Sequence, residues 1–379
     1  MISIGANVKF GIGVIGATGY IGTPYRAEIR EAPDDATIVA LCARRPDLLE
    51  AAAREDRAQF ISDDWRRIVD YPGVNLVVVA TPDALHHEAV MACAAAGKHV
   101  VCEKPVGMNV AQAREMWAAY RDRGLGHFVP FWTRYVPVIR RAREIFRQGT
   151  IGDVKAVIYR WHNPRPAAMP FTWRDDAELS AAGSLADVGS HAVDTLRWML
   201  GQDAVRVLVH ADVITAAKPD LGSVNLDEAL RWGDSHAASD RAERRTGTAF
   251  DFASIALVLE SGAVGSLLLS HATYLRKGLA PEVELHGAEA SLAIDRPSGR
   301  LTLARPGKVP EVLDTVPDPG FGNRFIKYVI PALRSRIARE STEHPGLEDG
   351  WRVQRFTDAA AQSARSGAWV ALSDVDKSS

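Results

Sequence analysis

Short β-branched runs alternate with helix-like stretches through the first third of the chain, a pattern that predicts a parallel sheet covered by helices on both faces. The apolar runs place strands at Val8–Ile15, Ile38–Ala43, Leu76–Ala80, His99–Cys102 and His127–Pro130. Between them, apolar residues at three- and four-residue spacing predict helices over Pro46–Arg57, Ala84–Ala96 and Val110–Arg123. From about Phe131 the pattern changes. A helix is expected over Val136–Arg147, a strand over Val154–Trp161 and a helix over Ala192–Leu200. Alternating segments at Arg206–Val213, Ala253–Leu259, Val264–Ser270 and Val283–His286 then predict an antiparallel sheet. The expected fold class is α/β plus α+β: a doubly wound Rossmann domain over 1–130, then a domain over 131–379 built on a largely antiparallel open sheet. Thr215–Thr248 is polar and weakly periodic, ending in the charged run Asp240–Arg245, and reads as a loop that serves as lid, interface or mobile element. Arg334–Asp349 also reads as loop, ahead of a closing helix over Trp351–Ser366.

A chain of 379 residues exceeds what one core usually supports, in keeping with two domains. At 47% hydrophobic and 24% charged, with a net charge of −2, it has the composition of a soluble globular protein and no electrostatic reason to bind nucleic acid or an anionic membrane. A small molecule is the expected partner. The start of the chain lacks a basic region followed by an apolar one, and no run of about 18 apolar residues occurs, so a cytoplasmic location is expected. Cys42, Cys93 and Cys102 lie in apolar surroundings without CxxC spacing and read as buried free thiols.

Gly16-Ala17-Thr18-Gly19-Tyr20-Ile21-Gly22 follows the first strand and opens a helix, the setting in which glycines let backbone N–H groups approach a pyrophosphate. Gly11-x-Gly13-x-x-Gly16 matches the dinucleotide fingerprint formally, but its first two glycines fall within the strand. After the second strand, where an acidic residue would meet the ribose 2′-hydroxyl of NAD, stands Ala43-Arg44-Arg45. A guanidinium pairs with a 2′-phosphate, which favours NADP over NAD. The alternative is that the arginines only open the next helix, with Asp47 as its cap. Thr81-Pro82-Asp83-Ala84-Leu85-His86 follows the strand Leu76–Ala80 beside the same crevice. His86 reads equally as a helix-start histidine with satisfied hydrogen bonds or as a group near the cofactor. Glu103-Lys104-Pro105 places a lysine where a buried strand ends, the edge at which open α/β sheets bind ligands.

With Thr81-Pro82 to His86, Gly97-Lys98-His99-Val100 and Glu103-Lys104-Pro105 in order, the chain resembles the Gfo/Idh/MocA oxidoreductases, and the resemblance covers nearly all of it. It runs through Phe131-Trp132-Thr133-Arg134-Tyr135, Gly149-Thr-Ile-Gly152, Gly183-Ser-Leu-Ala-Asp187-Val-Gly-Ser-His191-Ala-Val-Asp194, Glu284-Leu-His-Gly287 and Gly346-Leu-Glu-Asp-Gly350. Two departures stand out: the dinucleotide turn is a residue longer than usual, and Ala181-Ala182-Gly183 replaces a run of glycines. The resemblance implies that Lys104, Asp187 and His191 are catalytic and that Asp194 contacts substrate. It also implies that Trp132, Arg134 and Tyr135 belong to a segment entering the cleft.

Asp187, His191 and Asp194 share one side of a helix by their spacing. They admit a metal-ligand reading, a structural one and a catalytic one. No second His or Cys cluster supports a metal, so none is expected. Oxidising a secondary alcohol needs a base with a pKa near working pH, which suits His191, while Lys104 holds the same oxygen and Asp187 orients the pair. Which of Lys104 and His191 carries the proton is left open. Trp161-His162-Asn163 and Trp173-Arg174 suit a polyol or pyranose ring. The expected activity is hydride transfer between a nicotinamide and a sugar, polyol or related cyclic alcohol, without metal. A glycosidase using the nicotinamide transiently and a redox-inert binding protein are the competing classes, and an open sheet predicts a homodimer or tetramer.

Overall fold

The computed structural model describes residues 9–222, 224–236 and 243–376. Residues 1–8, which include the first residue of the expected Val8–Ile15 strand, and residues 240–242 of the Asp240–Arg245 run lie outside them. The chain forms two compact units. The first holds residues 9–130, 224–228 and 322–352, and the second holds 131–222, 229–321 as far as described, and 353–376.

In the first unit β1 (Phe10–Ile15), α1 (Gly22–Arg30), β2 (Ala36–Cys42), α2 (Pro46–Asp56), β3 (Phe60–Ser62) and α3 (Trp65–Asp70) are followed by β4 (Leu76–Val79), α4 (His86–Ala95), β5 (His99–Cys102), α5 (Val110–Arg121) and β6 (His127–Phe128). Its strands pair in parallel in the order β3-β2-β1-β4-β5-β6, the doubly wound arrangement in which the order reverses between β1 and β4. Leu76 to Val79 and Val100 to Cys102 are fully buried, so these strands read as unbroken apolar runs. Sequence periodicity missed β3, three residues long, and α3, six residues long, both too short to show a period. Pro46 and Asp47 lie inside the first turn of α2, and Arg45 is its cap residue, so Asp47 is not the cap.

The second unit begins with α6 (Pro137–Arg147), β7 (Val154–His162), α7 (Asp187–Leu200), β8 (Ala204–Asp212), β9 (Lys218–Pro219), α8 (Leu226–Ser235, of which 229–235 fall in this unit) and β10 (Arg244–Arg245). It continues with β11 (Phe252–Leu259), β12 (Val264–Ser270), β13 (Val283–Gly287), β14 (Ser291–Asp295), β15 (Arg300–Ala304) and β16 (Glu311–Thr315). Two helices follow, α9 (Ile330–Ile337) in the first unit and α10 (Leu347–Ser366), and β17 (Val370–Ala371) closes the sheet. The nine strands run β16-β15-β14-β13-β7-β12-β11-β8-β17. Pairing is antiparallel except between β7 and β12, which run parallel in the middle. One face is buried, as along β11, where Ala253, Ile255, Leu257 and Leu259 face inward and Ser254 and Ala256 are exposed.

Thr215–Thr248 is not a plain loop. Lys218–Pro219 pairs with Arg244–Arg245, and α8 is opened by reciprocal bonds between Asn225 and Glu228. That Asn-x-x-Glu spacing is a capping-box signal the weak periodicity hid. Likewise α9 occupies the start of Arg334–Asp349, and the closing helix begins at Leu347 rather than Trp351.

Candidate active site

The nucleotide end of the first unit is shaped by a turn between β1 and α1. Gly16 has φ of +84°, and a Cβ there would lie 2.3 Å from Ala80 O. Its N–H and that of Ala17 both donate to Cys42 O at 3.0 Å, tying the turn to the end of β2. No side chain caps α1 at Ile21; the Thr23 N–H donates to Gly19 O at 3.1 Å and the Gly19 N–H to Gly16 O at 3.0 Å, so the turn itself carries Thr18, Tyr20 and Ile21 up to the helix N-terminus, where the dipole favours an anion. The turn is longer by a residue than the family pattern and still makes a glycine-lined approach to a helix N-terminus, which fits a dinucleotide pyrophosphate. Gly11 and Gly13 are inside β1. Sequence gave no sign of Arg26, which is 4% exposed, reaches Asp56 and Glu55 of α2, and lies 3.4 Å from Ala17 O behind the turn.

Arg44 is exposed just past β2, and Arg45 is half-buried and ion-paired to Glu228 at 3.0 Å. Thr81 and Pro82 are half-buried at the end of β4, and the buried Thr81 hydroxyl has no protein partner. His86 is fully buried, with Nδ1 2.8 Å from Pro105 O and Nε2 3.0 Å from Thr81 O. Burial holds its pKa below the ordinary histidine value. This position corrects the reading of His86 as a cofactor contact: it clamps the loop after β4 to the loop after β5. Glu103 is 8% exposed and accepts a bond from the Tyr25 hydroxyl at 3.2 Å. Burial pushes its carboxyl up, against the pull of Lys104. Lys104, half-buried after β5, precedes Pro105 through a cis peptide bond.

In the second unit Asp187 and His191 stand one turn apart on α7. Asp187 is in the first turn, where the helix dipole favours a carboxylate. Beside it lie His271 Nε2 at 3.2 Å, Arg165 at 3.6 Å and Arg174 at 3.7 Å. Burial and the Arg165 guanidinium lower the His271 pKa to about 4, so at neutral pH its ring is uncharged. Arg165 continues the chain of charges to Asp175 at 3.8 Å, and Asp175 accepts Lys218 Nζ at 2.6 Å. The His191 ring stacks on Trp161, centroids 5.5 Å apart, with the edge of Phe131 at 6.1 Å. Trp161 is 8% exposed and its ring also carries the Arg296 guanidinium at 4.4 Å. The turn into α7 depends on Gly183, at φ of +55°, where a Cβ would lie 2.1 Å from Phe250 O.

Arg134 and Asp194 are corrected by the structure. Asp194 is 0% exposed and takes both Arg134 Nε, at 2.7 Å, and Nη2, at 2.5 Å, so the two hold each other in the core instead of presenting to a ligand. Trp132 is half-buried beside Tyr135 and Phe321. Arg165, Asp175, Lys218 and His271 were missed, because lone charged residues in loops and at strand ends carry no periodic signal. Cys42, Cys93 and Cys102 are buried, and burial pushes the first two thiols up to about 12. Among the described residues no group of three or more His, Cys, Asp or Glu is placed to hold a metal, and no helix is long and apolar enough to cross a membrane.

A reversed-order parallel sheet with a glycine turn leading into a helix N-terminus is the architecture of a dinucleotide-binding protein. Residues 10–131 match the oxidoreductase family with an NAD-binding Rossmann fold, and 139–293 match the GFO/IDH/MocA C-terminal domain. The chain belongs to the Gfo/Idh/MocA family of oxidoreductases. It is 27% identical to levoglucosan dehydrogenase of Pseudarthrobacter phenanthrenivorans over 87% of this chain and 88% of that protein. Among solved structures, an oxidoreductase domain protein from Kribbella flavida superposes with a TM-score of 0.80 at 26% identity, covering 96% of this chain and 99% of that one. A levoglucosan dehydrogenase in complex with NADH and L-sorbose shares the fold, with a TM-score of 0.80 at 23% identity over 97% of this chain and all of that one.

Proposed function

We propose that the protein is an NAD(P)-dependent dehydrogenase or reductase acting on a secondary alcohol or ketone of a sugar, polyol or related cyclic substrate. The observation that carries this reading is the α7 pair: His191 stacked on an indole with Asp187 one turn before it, inside a ring of Arg165, Arg174 and a neutral His271. The similarity to levoglucosan dehydrogenase adds a cyclic anhydrosugar to the substrates to be tried.

The turn Gly16, Thr18, Gly19, Tyr20 and Ile21 would hold the pyrophosphate of a dinucleotide, with Thr81, Pro82 and Glu103 along the crevice edge. A dinucleotide bound there would supply the nicotinamide as hydride acceptor or donor. His191 takes the hydroxyl proton in oxidation and gives it back in reduction. Lys104 holds the same oxygen and stabilises its developing negative charge, while Asp187 orients the pair. Trp132, Trp161 and Arg174 shape the surroundings of the ring. In this reading NADP is preferred over NAD. Arg44 supplies the cation for the 2′-phosphate, since Arg45 is engaged elsewhere. The exposed face of the nine-strand sheet, carrying Ala256 with the half-buried Ile158 and Leu268, suits a homo-oligomer.

Incubation with NAD or NADP and a panel of sugars, inositols and anhydrosugars, following nicotinamide absorbance and sugar products together, tests the reading. Net reduction of the dinucleotide by at least one cyclic alcohol is expected. Sugar release without net reduction would establish the glycosidase class, and silence across the panel would favour a redox-inert binder.

A further inference from the structure

The end of β2 lacks an acidic residue, yet a carboxylate reaches it from a distant part of the chain. Glu228 stands 183 residues from Arg45 in sequence, and its Oε1 and Oε2 lie 3.0 and 3.3 Å from Nη1 of that arginine. The carboxylate is held in place from behind. Glu228 Oε2 accepts the Asn225 N–H at 2.9 Å, and Asn225 Oδ1 accepts the Glu228 N–H at 2.9 Å, so the pair that opens α8 also aims the side chain. Both members of the ion pair keep about a third of their side-chain surface, 36% for Arg45 and 31% for Glu228, and remain within reach of a ligand. Arg44 beside them is exposed.

We infer that Glu228 is a specificity-determining residue for the dinucleotide, supplying at the adenosine ribose the carboxylate that β2 does not. This rests on the nucleotide reading above. A ribose 2′-hydroxyl can donate to a carboxylate already there, whereas a 2′-phosphate must draw Arg45 away from it and then lie beside its negative charge. Glu228 therefore restrains the preference for the phosphorylated dinucleotide that Arg44 creates, by holding Arg45 and adding its own negative charge, and keeps NAD an acceptable ligand.

Titration calorimetry of NADH and NADPH against the full-length protein tests this by binding alone. Glu228→Gln is the informative variant, because glutamine preserves the acceptor that opens α8. A carboxylate near a doubly charged phosphate at the solvent edge is worth about tenfold in affinity. The ratio of NADH to NADPH dissociation constants is thus expected to rise about tenfold in Glu228→Gln, and Glu228→Ala is expected to move it the same way. An unchanged ratio in both variants overturns the inference. If neither dinucleotide binds the unaltered protein, the nucleotide reading itself fails, an outcome distinct from the first.

Discussion

Replacing Asp175 by Asn removes the central charge of the buried chain that ends at the α7 site. Its carboxylate accepts Lys218 Nζ at 2.6 Å and the Thr172 N–H at 2.9 Å, and Arg165 lies 3.8 Å away. The ion-paired side chains are 7%, 9% and 7% exposed for Asp175, Lys218 and Arg165, so water cannot replace the lost charge. At an effective dielectric of about 20, the closest contact alone carries about 6 kcal/mol of attraction before desolvation is counted. Breaking a buried pair by removing one partner costs about 3–5 kcal/mol net. For a domain of this size that is a fall in Tm of the order of 5–15 °C. Circular dichroism melts at pH 7 check it, and the double variant Asp175→Asn with Lys218→Met is expected to recover part of the loss.

The pH dependence has a fixed sign. Burial raises the Asp175 pKa, but the cations beside it outweigh burial and hold it below the ordinary value. A group whose folded pKa is depressed contributes stability above its unfolded value, about 4, and loses it as pH falls through the folded one. The Tm gap between wild type and Asp175→Asn should therefore be full at pH 7 and shrink below about pH 4. A loss under 1 °C at pH 7, or a gap that persists undiminished into acid, refutes the reasoning.

Gly183→Ala places a Cβ 2.1 Å from Phe250 O in a left-handed backbone, so the turn ahead of Asp187 must shift. Beyond about 1–2 kcal/mol of backbone cost, the folded variant should lose turnover more than dinucleotide affinity, read by kcat beside calorimetry. Asp194→Asn leaves Arg134 buried beside a neutral partner, and a loss of about 3–5 kcal/mol is expected in urea unfolding. Since the pair is in the core, KM of the surviving folded enzyme should change less than about threefold; a selective rise in KM would restore Asp194 to the substrate surface.

Much of the first unit was legible because its buried parallel strands are unbroken apolar runs and its glycine turn falls where the first strand ends. The α7 stripe was legible for a related reason: Asp187, His191 and Asp194 follow helical spacing. Spacing gave their shared side but not their depth, so the fully buried Asp194 looked like its more accessible neighbours. The contacts that surround Asp187 were hidden altogether. His271 comes from the end of β12 and Arg165 from a loop after β7, and only the parallel pairing of those two strands brings these residues together. Glu228 escaped notice likewise, its partner lying on the far side of the sequence and its capping partner being an asparagine in a polar stretch.

The central claim is that Lys104 and His191 move or stabilise charge on an alcohol during hydride transfer. Single-turnover reduction of bound NAD or NADP by the best cyclic alcohol, in wild type, Lys104→Ala and His191→Ala of verified fold and dinucleotide affinity, tests it most directly. Both variants are predicted to slow at least about 10²-fold with dinucleotide binding retained. Wild-type rates in either variant would contradict the account.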